Sequence, residues 1–506
     1  MSSTRPEINV HPNSFPASDL QSRTYDVVII GGGPAGETTA AGVVRGGLTA
    51  LLVESELFGG ECPYWACVPS KALLRASEVI TIANMVGGAR QRLEVLTTKY
   101  GEPPKPEVNL EGLWERRDMF AHDWTDDFQV KGMRSIGVDV AHGFGRVCGV
   151  KKVAIKDWHS KEEVEVEAKH AVVVATGSTL IVPSIEGLKD SAYWTPRDAV
   201  SAREVPDHLI VLGAGAVGAE MATLYNQLGS KVTLISNSLL PKMVPEVGET
   251  IRESFTKAGV DVKLGLKVTS VSREGLNIKV FLSDNSMVEG TQLLIATGRR
   301  ARTTGMTLES ISAATEGAWI EVDDSMCVKA VSDGWLYAVG DVNGRALMTH
   351  IAKYQARIAG HAIVAKSKGT YDSEVRAKEW DKSVAKPTGR AIAQSIFTDP
   401  QVAACGLTPA EADLMGVKTR TVSVQMSGPG TWLHADGYKG WAQWVVDEHD
   451  RLIGATFVGR DVVDLVHAST TAIVGGMTLE QMWHVTPPFP TMSEVYTTLS
   501  EAAETT

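Results

Sequence analysis

Short runs of apolar, mostly β-branched residues recur along the chain, and several end on glycine. Tyr25–Ile30 leads straight into Gly31-Gly32-Gly33-Pro34-Ala35-Gly36, followed by the small-residue stretch Thr38 to Gly42. A continuous apolar run of this length predicts a strand buried on both faces of a parallel sheet. Ala50-Leu51-Leu52-Val53 repeats the pattern and ends in Glu54. Ala171–Ala175 ends in Thr176-Gly177, Leu293–Ala296 in Thr297-Gly298-Arg299, and Leu336–Val339 in Gly340-Asp341. Leu209–Leu212 enters Gly213-Ala214-Gly215-Ala216-Val217-Gly218, then a helix carrying Ala219-Glu220-Met221-Ala222, then the strand Lys231–Ile235. Ser70-Lys71-Ala72-Leu73-Leu74-Arg75 reads as helix. From about Ala385 the pattern changes to short alternating strands, including Phe397–Leu407 and Leu452–Gly459. Within Gln91–Arg116, Gly101-Glu102-Pro103-Pro104-Lys105-Pro106 is a loop signal and predicts a surface insertion. The pattern predicts an α/β chain with two Rossmann-like units and a C-terminal α+β unit.

The strand ends carry the candidate chemistry. Gly31 permits the tight turn, Gly33 lets the backbone approach a pyrophosphate, and Gly36 lets helix pack closely on strand. Glu54, about 20 residues on, suits a ribose hydroxyl. Gly213, Gly215 and Gly218 repeat the fingerprint, and two in one chain point to two dinucleotides. Between them lies Gly59-Gly60-Glu61-Cys62-Pro63-Tyr64-Trp65-Ala66-Cys67-Val68-Pro69-Ser70-Lys71. Read alone, Cys-x4-Cys fits a structural disulfide, two buried thiols or a redox pair. A thiol in the first turn of a helix meets the positive end of the helix dipole, which lowers its pKa. Trp114 and Trp124 are expected in packing, and Cys148, Cys327 and Cys405 as small buried hydrophobes.

Composition narrows the class. The 506 residues suffice for three or four domains, and 43% hydrophobic with 22% charged residues is ordinary for a globular protein. A net charge of -11 argues against nucleic acid or an anionic membrane as the partner. No apolar run reaches the ~20 residues of a membrane span. Five cysteines do not make a secreted disulfide scaffold, so a reducing, cytoplasmic compartment is expected. Residues 1–24, rich in Ser, Pro and Asn, lack the apolar stretch of a signal peptide and are expected as a disordered tail.

The Gly-Gly-x-Cys-x4-Cys-x-Pro-Ser-Lys segment, flanked by the two fingerprints, resembles the redox helix of the FAD-dependent pyridine nucleotide–disulfide oxidoreductases. This is the lipoamide dehydrogenase, glutathione reductase and mercuric reductase family. The resemblance runs from about Tyr25 to the C-terminus. It implies an FAD-binding domain over 25–180 and 305–380, an NAD(P)-binding domain over 181–304, and a dimerisation domain over 385–506. It implies FAD at the first fingerprint and a nicotinamide cofactor at the second, with electrons passing to a Cys62–Cys67 disulfide. Cys67 would stand next to the flavin and Cys62 would be the interchange thiol. Lys71 would lie near the flavin N5 edge, paired with Glu220. Further cofactor contacts are implied at Gly60, Gly177, Gly298, Gly340 and Ala352, with Asp341 on the ribityl chain. Ser236-Asn237-Ser238 stands where an NAD-preferring site would place an acid, and Lys242 is nearby, so NADPH is expected ahead of NADH. No metal site is expected.

One catalytic position departs from the family. Its members end in His-Pro-Thr-x-x-Glu, where the imidazole of one subunit serves the partner's thiols and the glutamate orients it. Here the run is Phe489-Pro490-Thr491-Met492-Ser493-Glu494. Phenylalanine transfers no proton, and positioned acid–base help is worth roughly 10²–10⁴-fold. His484 is the nearest other imidazole and is expected to be an ordinary histidine. Mercuric reductases carry tyrosine in place of this histidine and a terminal cysteine pair, which the run Glu501–Thr506 lacks. 2-Ketopropyl-coenzyme M oxidoreductase/carboxylase carries phenylalanine, with histidine in place of the glutamate. The expectation is a homodimeric NAD(P)H oxidoreductase acting on a disulfide or other small acceptor. The alternatives are thioether cleavage, a metal or quinone reductase (diaphorase), and a non-enzymatic redox-sensing flavoprotein.

Overall fold

Val27, Val28 and Ile29 are fully buried, as are Leu51 and Leu52, because these apolar runs become inner strands of the parallel part of one mixed sheet. The computed structural model describes residues 7–100, 108–371, 380–386 and 391–505, and for 96–100 the backbone alone. In the first sheet the order is Asp139–His142, Ala50–Glu54, Thr24–Ile30, Glu163–Val174, Lys152–Lys156 and Phe144–Gly149. Glu163–Val174 is shared along its length. Its first half pairs antiparallel with Lys152–Lys156, and its second half pairs parallel with Thr24–Ile30 and with Leu336–Ala338. Segments before 180 and after 330 therefore close one sheet. The helices Pro34–Arg45 and Thr349–Ser367 pack on it, meeting where Gly42 faces Gly360.

The second fingerprint builds a smaller parallel sheet in the order Asp261–Leu264, Lys231–Ser236, His208–Leu212 and Gln292–Ile295. A three-stranded antiparallel sheet, Val268–Glu274, Asn277–Leu282 and Met287–Gly290, flanks it. The short ribbon Ser178–Leu180 with Arg299–Ala301 joins the two nucleotide folds. The C-terminal unit is a five-stranded antiparallel sheet backed by Val466–Gly475 and Val495–Ala503.

The helix Cys67–Met85 knits these units together. Its Leu73 and Leu74 share a core with Ala219, Tyr225 and Leu234 of the second fold and with Ile396, Val402 and Val458 of the C-terminal sheet. At its far end Met85 O accepts the Asp436 N–H, 2.9 Å away. The contact lies at the last of the helix's 19 residues and Cys67 at the first, with a rise of about 1.5 Å per residue between them.

Three expectations change. Residues 7–24 are not a disordered tail; residues 1–6 lie outside the described residues. Ala17 is buried, the His142 N–H donates to Phe15 O at 2.9 Å, and His11 Nδ1 lies 2.8 Å from Ser55 O. His142 sets one ring nitrogen 2.5 Å from Ser14 O and the other 2.9 Å from Asp126 Oδ2. The polar composition concealed this docking because a few scattered apolar side chains, Ala17, Phe15 and Leu20 among them, and backbone acceptors make it together. Second, Ala385 packs in the first core and donates to Asp324 O, so the C-terminal unit starts after it, with the strand Ala393–Ile396. Third, Gln91–Arg116 is largely helix, in Ala89–Tyr100 and Leu110–Phe120. The loop signal itself, Gly101–Pro106, lies outside the described residues.

The second of these helices carries a buried charge. Arg117 is fully buried, pairs with Asp118 at 2.7 Å, and donates to Val200 O at 2.9 Å and Ala202 O at 2.6 Å. Its guanidinium carbon lies 5.3 Å from the Trp114 ring centroid and 5.2 Å from that of Trp124. Those tryptophans are thus packing residues around one cation. Arg117→Met keeps bulk but leaves two buried carbonyls without their donor and Asp118 with Arg203 as its remaining cation, so it should cost about 2–4 kcal/mol. Urea unfolding checks this; an unchanged midpoint with an unchanged slope would remove Arg117 from the joint between first and second folds.

Candidate functional site

The two fingerprint turns test themselves. A Cβ at Gly36 would sit 1.8 Å from Gly31 O, and one at Gly218 would sit 1.9 Å from Gly213 O, so close helix–strand packing demands both glycines. The middle glycines differ. A Cβ at Gly33 would meet only Gly60 Cα, at 3.9 Å, and one at Gly215 would meet nothing within 4 Å. No protein atom requires glycine there; the open side is where a phosphate would approach bare backbone at a helix N-terminus. The residues present therefore fit a dinucleotide at each turn. Gly31 and Gly213 take the turns themselves, with φ of 110° and 106°.

Glu54 stands at the end of its strand beside the first turn. Its Oε2 accepts the Gly32 N–H at 2.6 Å and its Oε1 the Glu56 N–H at 2.7 Å. Burial pushes its carboxyl up, against those two donors. Asp341 follows the strand Leu336–Ala338 of the same sheet. It accepts the Ser178 hydroxyl at 2.6 Å, and Arg299 Nε donates to that hydroxyl at 2.7 Å. Burial raises Asp341, with Ser178 and Arg299 opposing. Gly177 and Gly298 flank this group with positive φ. The Gly340 N–H donates to Gln355 at 2.8 Å, and buried Ala352 packs against Gly340 from the Thr349–Ser367 helix.

The two cysteines lie between these groups. Cys62 is in the short helix Glu61–Tyr64, and Cys67 opens the long helix Cys67–Met85. Cys67 Sγ is 3.2 Å from Thr349 Oγ1. The neighbouring Cys62 thiol, the Thr349 hydroxyl and the Lys71 charge hold the Cys67 thiol below its usual value, against burial. The contact with Cys67, together with burial, raises Cys62. The expected thiolate is thus Cys67, and the proton stays on Cys62. What separates the two sulfurs is the Thr349 hydroxyl at Cys67 and the Lys71 charge one turn on, added to its place at the head of the long helix.

Lys71, one turn on, pairs with Glu220 at 2.6 Å, and the other Glu220 oxygen accepts the Phe397 N–H at 3.0 Å. A cavity of about 540 Å³ lies behind this pair, lined by Val68, Lys71, Glu78, Phe397 and Arg460, and neither cysteine lines it.

Sequence reasoning missed the groups that hold the cysteine turn. Arg197 donates to Glu61 Oε1 at 2.6 Å and Glu56 Oε2 at 2.7 Å, and its guanidinium lies 4.2 Å from the Trp65 ring centroid. Arg302 also donates to Glu61, at 3.0 Å. Burial works to raise Glu61, but Arg197, with Arg299 and Arg302 behind it, holds it below the usual carboxylate range. Thr349 was likewise missed; only its place before His350-Ile351-Ala352 could have marked it.

The structure does not bring Phe489 and Glu494 to the thiols of this chain. Phe489 is 72% exposed on the C-terminal unit, and Glu494 Oε2 accepts the Gly430 N–H at 2.7 Å. His484 is exposed. Ser236, Asn237, Ser238 and Lys242 sit at and beyond the end of the Lys231–Ser236 strand, with Lys242 exposed. Among the described residues no group of side chains could hold a metal ion, and no helix is long and apolar enough to cross a membrane.

Comparison with known proteins agrees with this geometry. A dihydrolipoyl dehydrogenase of Chlorobaculum parvum is 28% identical, over 96% of this chain and 98% of its own. A mercuric reductase of Streptomyces lividans is 29% identical over 95% and 97%. Among solved structures, the Cu(II) complex of the HOCl-induced flavoprotein disulfide reductase RclA of Escherichia coli superposes with a TM-score of 0.78 at 21% identity, covering 95% of this chain and 99% of that one. LpdA of Mycobacterium tuberculosis superposes with 0.76 at 24% identity, covering 95% and 100%. The pyridine nucleotide-disulphide oxidoreductase family matches residues 25–363, and its dimerisation domain matches 392–500. The chain belongs to the pyridine nucleotide-disulphide oxidoreductases and is an NAD(P)H-dependent FAD disulfide oxidoreductase.

Proposed function

We propose that the chain draws electrons from NADPH and delivers them through Cys62 and Cys67 to a small disulfide, as a homodimer in which each copy lends its C-terminal segment to the other's thiols. The observation that carries this reading is the asymmetry of the sulfur pair: Cys67 held by Thr349 with Lys71 behind it, Cys62 keeping the proton. FAD would be held by the Gly31–Gly36 turn, Glu54 and the Ser178–Asp341–Arg299 group, and when bound it supplies two-electron transfer between nicotinamide and thiols. Cys67 serves as the charged, inner sulfur. Cys62 serves as the outer one, which attacks the acceptor once its proton has left. Lys71, fixed by Glu220, keeps a positive charge beside the inner sulfur. Arg197 and Arg302 grip Glu61 and so fix the outer cysteine's turn.

The nucleotide preference rests on Ser236, Asn237 and Ser238, which offer no carboxylate to repel a 2′-phosphate, and on the exposed Lys242. The homodimer rests on the match to a dimerisation domain and on large apolar side chains left exposed in that unit: Phe489, Trp432, Leu433 and Trp483 are 72%, 59%, 68% and 48% exposed. Relatives bear the names dihydrolipoyl dehydrogenase and mercuric reductase, so metal salts belong in the acceptor screen beside disulfides.

Anaerobic titration of the FAD-loaded protein with NADPH should produce a long-wavelength absorbance band from the Cys67 thiolate. Cys67→Ser should abolish the band, and NADH should need about tenfold more nucleotide, the equivalent of ~1.4 kcal/mol. A wild-type protein that shows no band with either nucleotide would end the dithiol reading; equal titration by both would end the NADPH preference alone.

Phe489→His should raise turnover of lipoamide or glutathione disulfide by up to ~10²-fold, the low end of what a positioned acid–base group supplies. Steady-state rates with excess NADPH measure it. No gain, in a variant of unchanged oligomeric state, would show that Phe489 does not stand beside the acceptor.

A further inference from the structure

With phenylalanine at 489, the proposed cycle has no group to take the Cys62 proton or to protonate the departing thiolate. One half-buried carboxyl near the thiols remains without a role: Glu37. It follows Gly36 in the first turn of the helix Pro34–Arg45, where its N–H donates to Gly33 O at 3.0 Å. That turn abuts the cysteine turn directly: a Cβ at Gly60 would lie 2.9 Å from Gly33 Cα and 3.9 Å from Pro34 Cδ. Gly60 stands two residues before Cys62. Packed against the Pro34–Arg45 helix is the helix Thr349–Ser367. Its Thr349 touches Cys67, and Lys353, one helical turn later, shares that face. The Lys353 charge acts on Glu37 and on Cys62 alike, and the Glu37 charge is felt by Tyr64 between the two cysteines. Glu37 has no side-chain hydrogen bond or ion pair among the described residues.

We infer that Glu37 is the acid–base group of the acceptor half-reaction, with Lys353 as the positioning charge between its carboxylate and Cys62, and that the acceptor is a small disulfide. The inference rests on the disulfide reductase reading above. Glu37 carboxylate takes the proton from Cys62. The Cys62 thiolate attacks one sulfur of the acceptor; a Cys62–acceptor S–S bond forms and the acceptor's own S–S bond breaks. The expelled thiolate takes the proton from the Glu37 carboxyl. The Cys67 thiolate then attacks Cys62, forming the Cys62–Cys67 disulfide and expelling the second thiolate, which takes a proton from water. Two electrons, supplied by NADPH, leave with the two thiols.

Burial pushes the Glu37 carboxyl up to about 7, with Lys353 opposing and Glu54 adding to the rise. The charged or titratable groups facing it are Lys353 from its helix, Glu54 from the strand Ala50–Glu54, and Tyr64 from the cysteine turn. A carboxyl at that value exchanges protons at neutral pH, where an ordinary glutamate would stay ionised.

The test is Glu37→Gln in the FAD-loaded enzyme, with Glu37→Asp as the conservative variant. With lipoamide, Glu37→Gln should lower kcat/KM by about 10²-fold and Glu37→Asp by much less. The wild-type profile should rise with pH through about 7, as Glu37 loses its proton, and this rise should vanish in Glu37→Gln. With a nitroaryl disulfide, whose thiolate leaves without a proton, the Glu37→Gln loss should shrink. In the NADPH-reduced protein, iodoacetamide alkylation of Cys62 should shift its pH profile upward in Glu37→Gln. The long-wavelength band on NADPH addition reports whether each variant is folded and loaded. Equal losses with both disulfides, or an unmoved pH profile in a variant that still forms the band, would overturn the role of Glu37. A wild type that forms no band, or turns over no disulfide, would overturn the underlying reading and this inference with it.

Discussion

A backbone contact between two glycines sets the geometry on which the site depends. A side chain on Gly60 would be driven to 2.9 Å from Gly33 Cα, closer than real Cβ contacts allow, and Gly60 holds a φ of 65° that also favours glycine. The cysteine turn can therefore lie directly on the phosphate turn. The consequence is chemical as much as steric. It puts the sulfur pair at the mouth of the first dinucleotide turn, and it puts the first turn of the Pro34–Arg45 helix within electrostatic reach of the cysteine loop. Glycine on both sides is what lets one loop bind phosphate while the other presents sulfur.

That approach concentrates negative charge. Glu37, Glu54, Glu56 and Glu61 all crowd the turn, and Asp341 lies near enough for its carboxyl to feel Glu61. Desolvation works against every one of these carboxylates, so the fold must answer with cations or let protons in. The answer is divided. Arg197 and Arg302 reach across from the second nucleotide fold and hold Glu56 and Glu61 ionised. These are positioned, multiply hydrogen-bonded ion pairs, and they bind the cysteine turn to segments far away in sequence. Glu37 receives only the more distant Lys353 charge, and its carboxyl rises instead. The same crowding thus yields two fixed anions, Glu56 and Glu61, and three raised carboxyls, of which Glu54 and Asp341 accept hydrogen bonds and Glu37 does not among the described residues.

The legible part of this arrangement is whatever local rules control. Runs such as Val27–Ile30 and Leu209–Leu212 had to be buried strands, and Gly31, Gly36, Gly213 and Gly218 had to be glycine for reasons each turn carries in itself. The Lys71–Glu220 pair is legible only through resemblance, because no spacing rule joins residues 149 positions apart. Arg197, Arg302 and Thr349 leave no mark, since each is defined by what the folded chain brings to it. The N-terminal segment misleads for a related reason. Its polar composition looks unable to fold, yet His142, Ser55 and Trp158 hold it through backbone carbonyls and ring contacts, which composition does not count. Glu37 stands in plain view beside Gly36, but its meaning depends on how deeply it is buried and on Lys353, neither of which a sequence displays.

The retained Glu494 fits this view of the site. In the family pattern its partner is an imidazole; here its carboxylate accepts the Gly430 N–H, and a Cβ at Gly430 would come within 2.5 Å of that oxygen. A glutamate with this bond has a structural reason to persist without the histidine, so its presence does not argue for a vestigial relay on that side. Proton traffic then has to be settled on the Glu37 side, and Coulomb's law gives its direction. Reduction leaves a negative charge on Cys67, and a second anion nearby in a poorly solvated site is costly. The charge on sulfur therefore pushes the Glu37 carboxyl up, which makes its carboxylate a stronger base towards the Cys62 proton. A carboxylate that takes the Cys62 proton and returns it to the departing thiolate does so without needing to move, which is the property a fixed acid on a helix must have to stand in for a histidine from a second subunit.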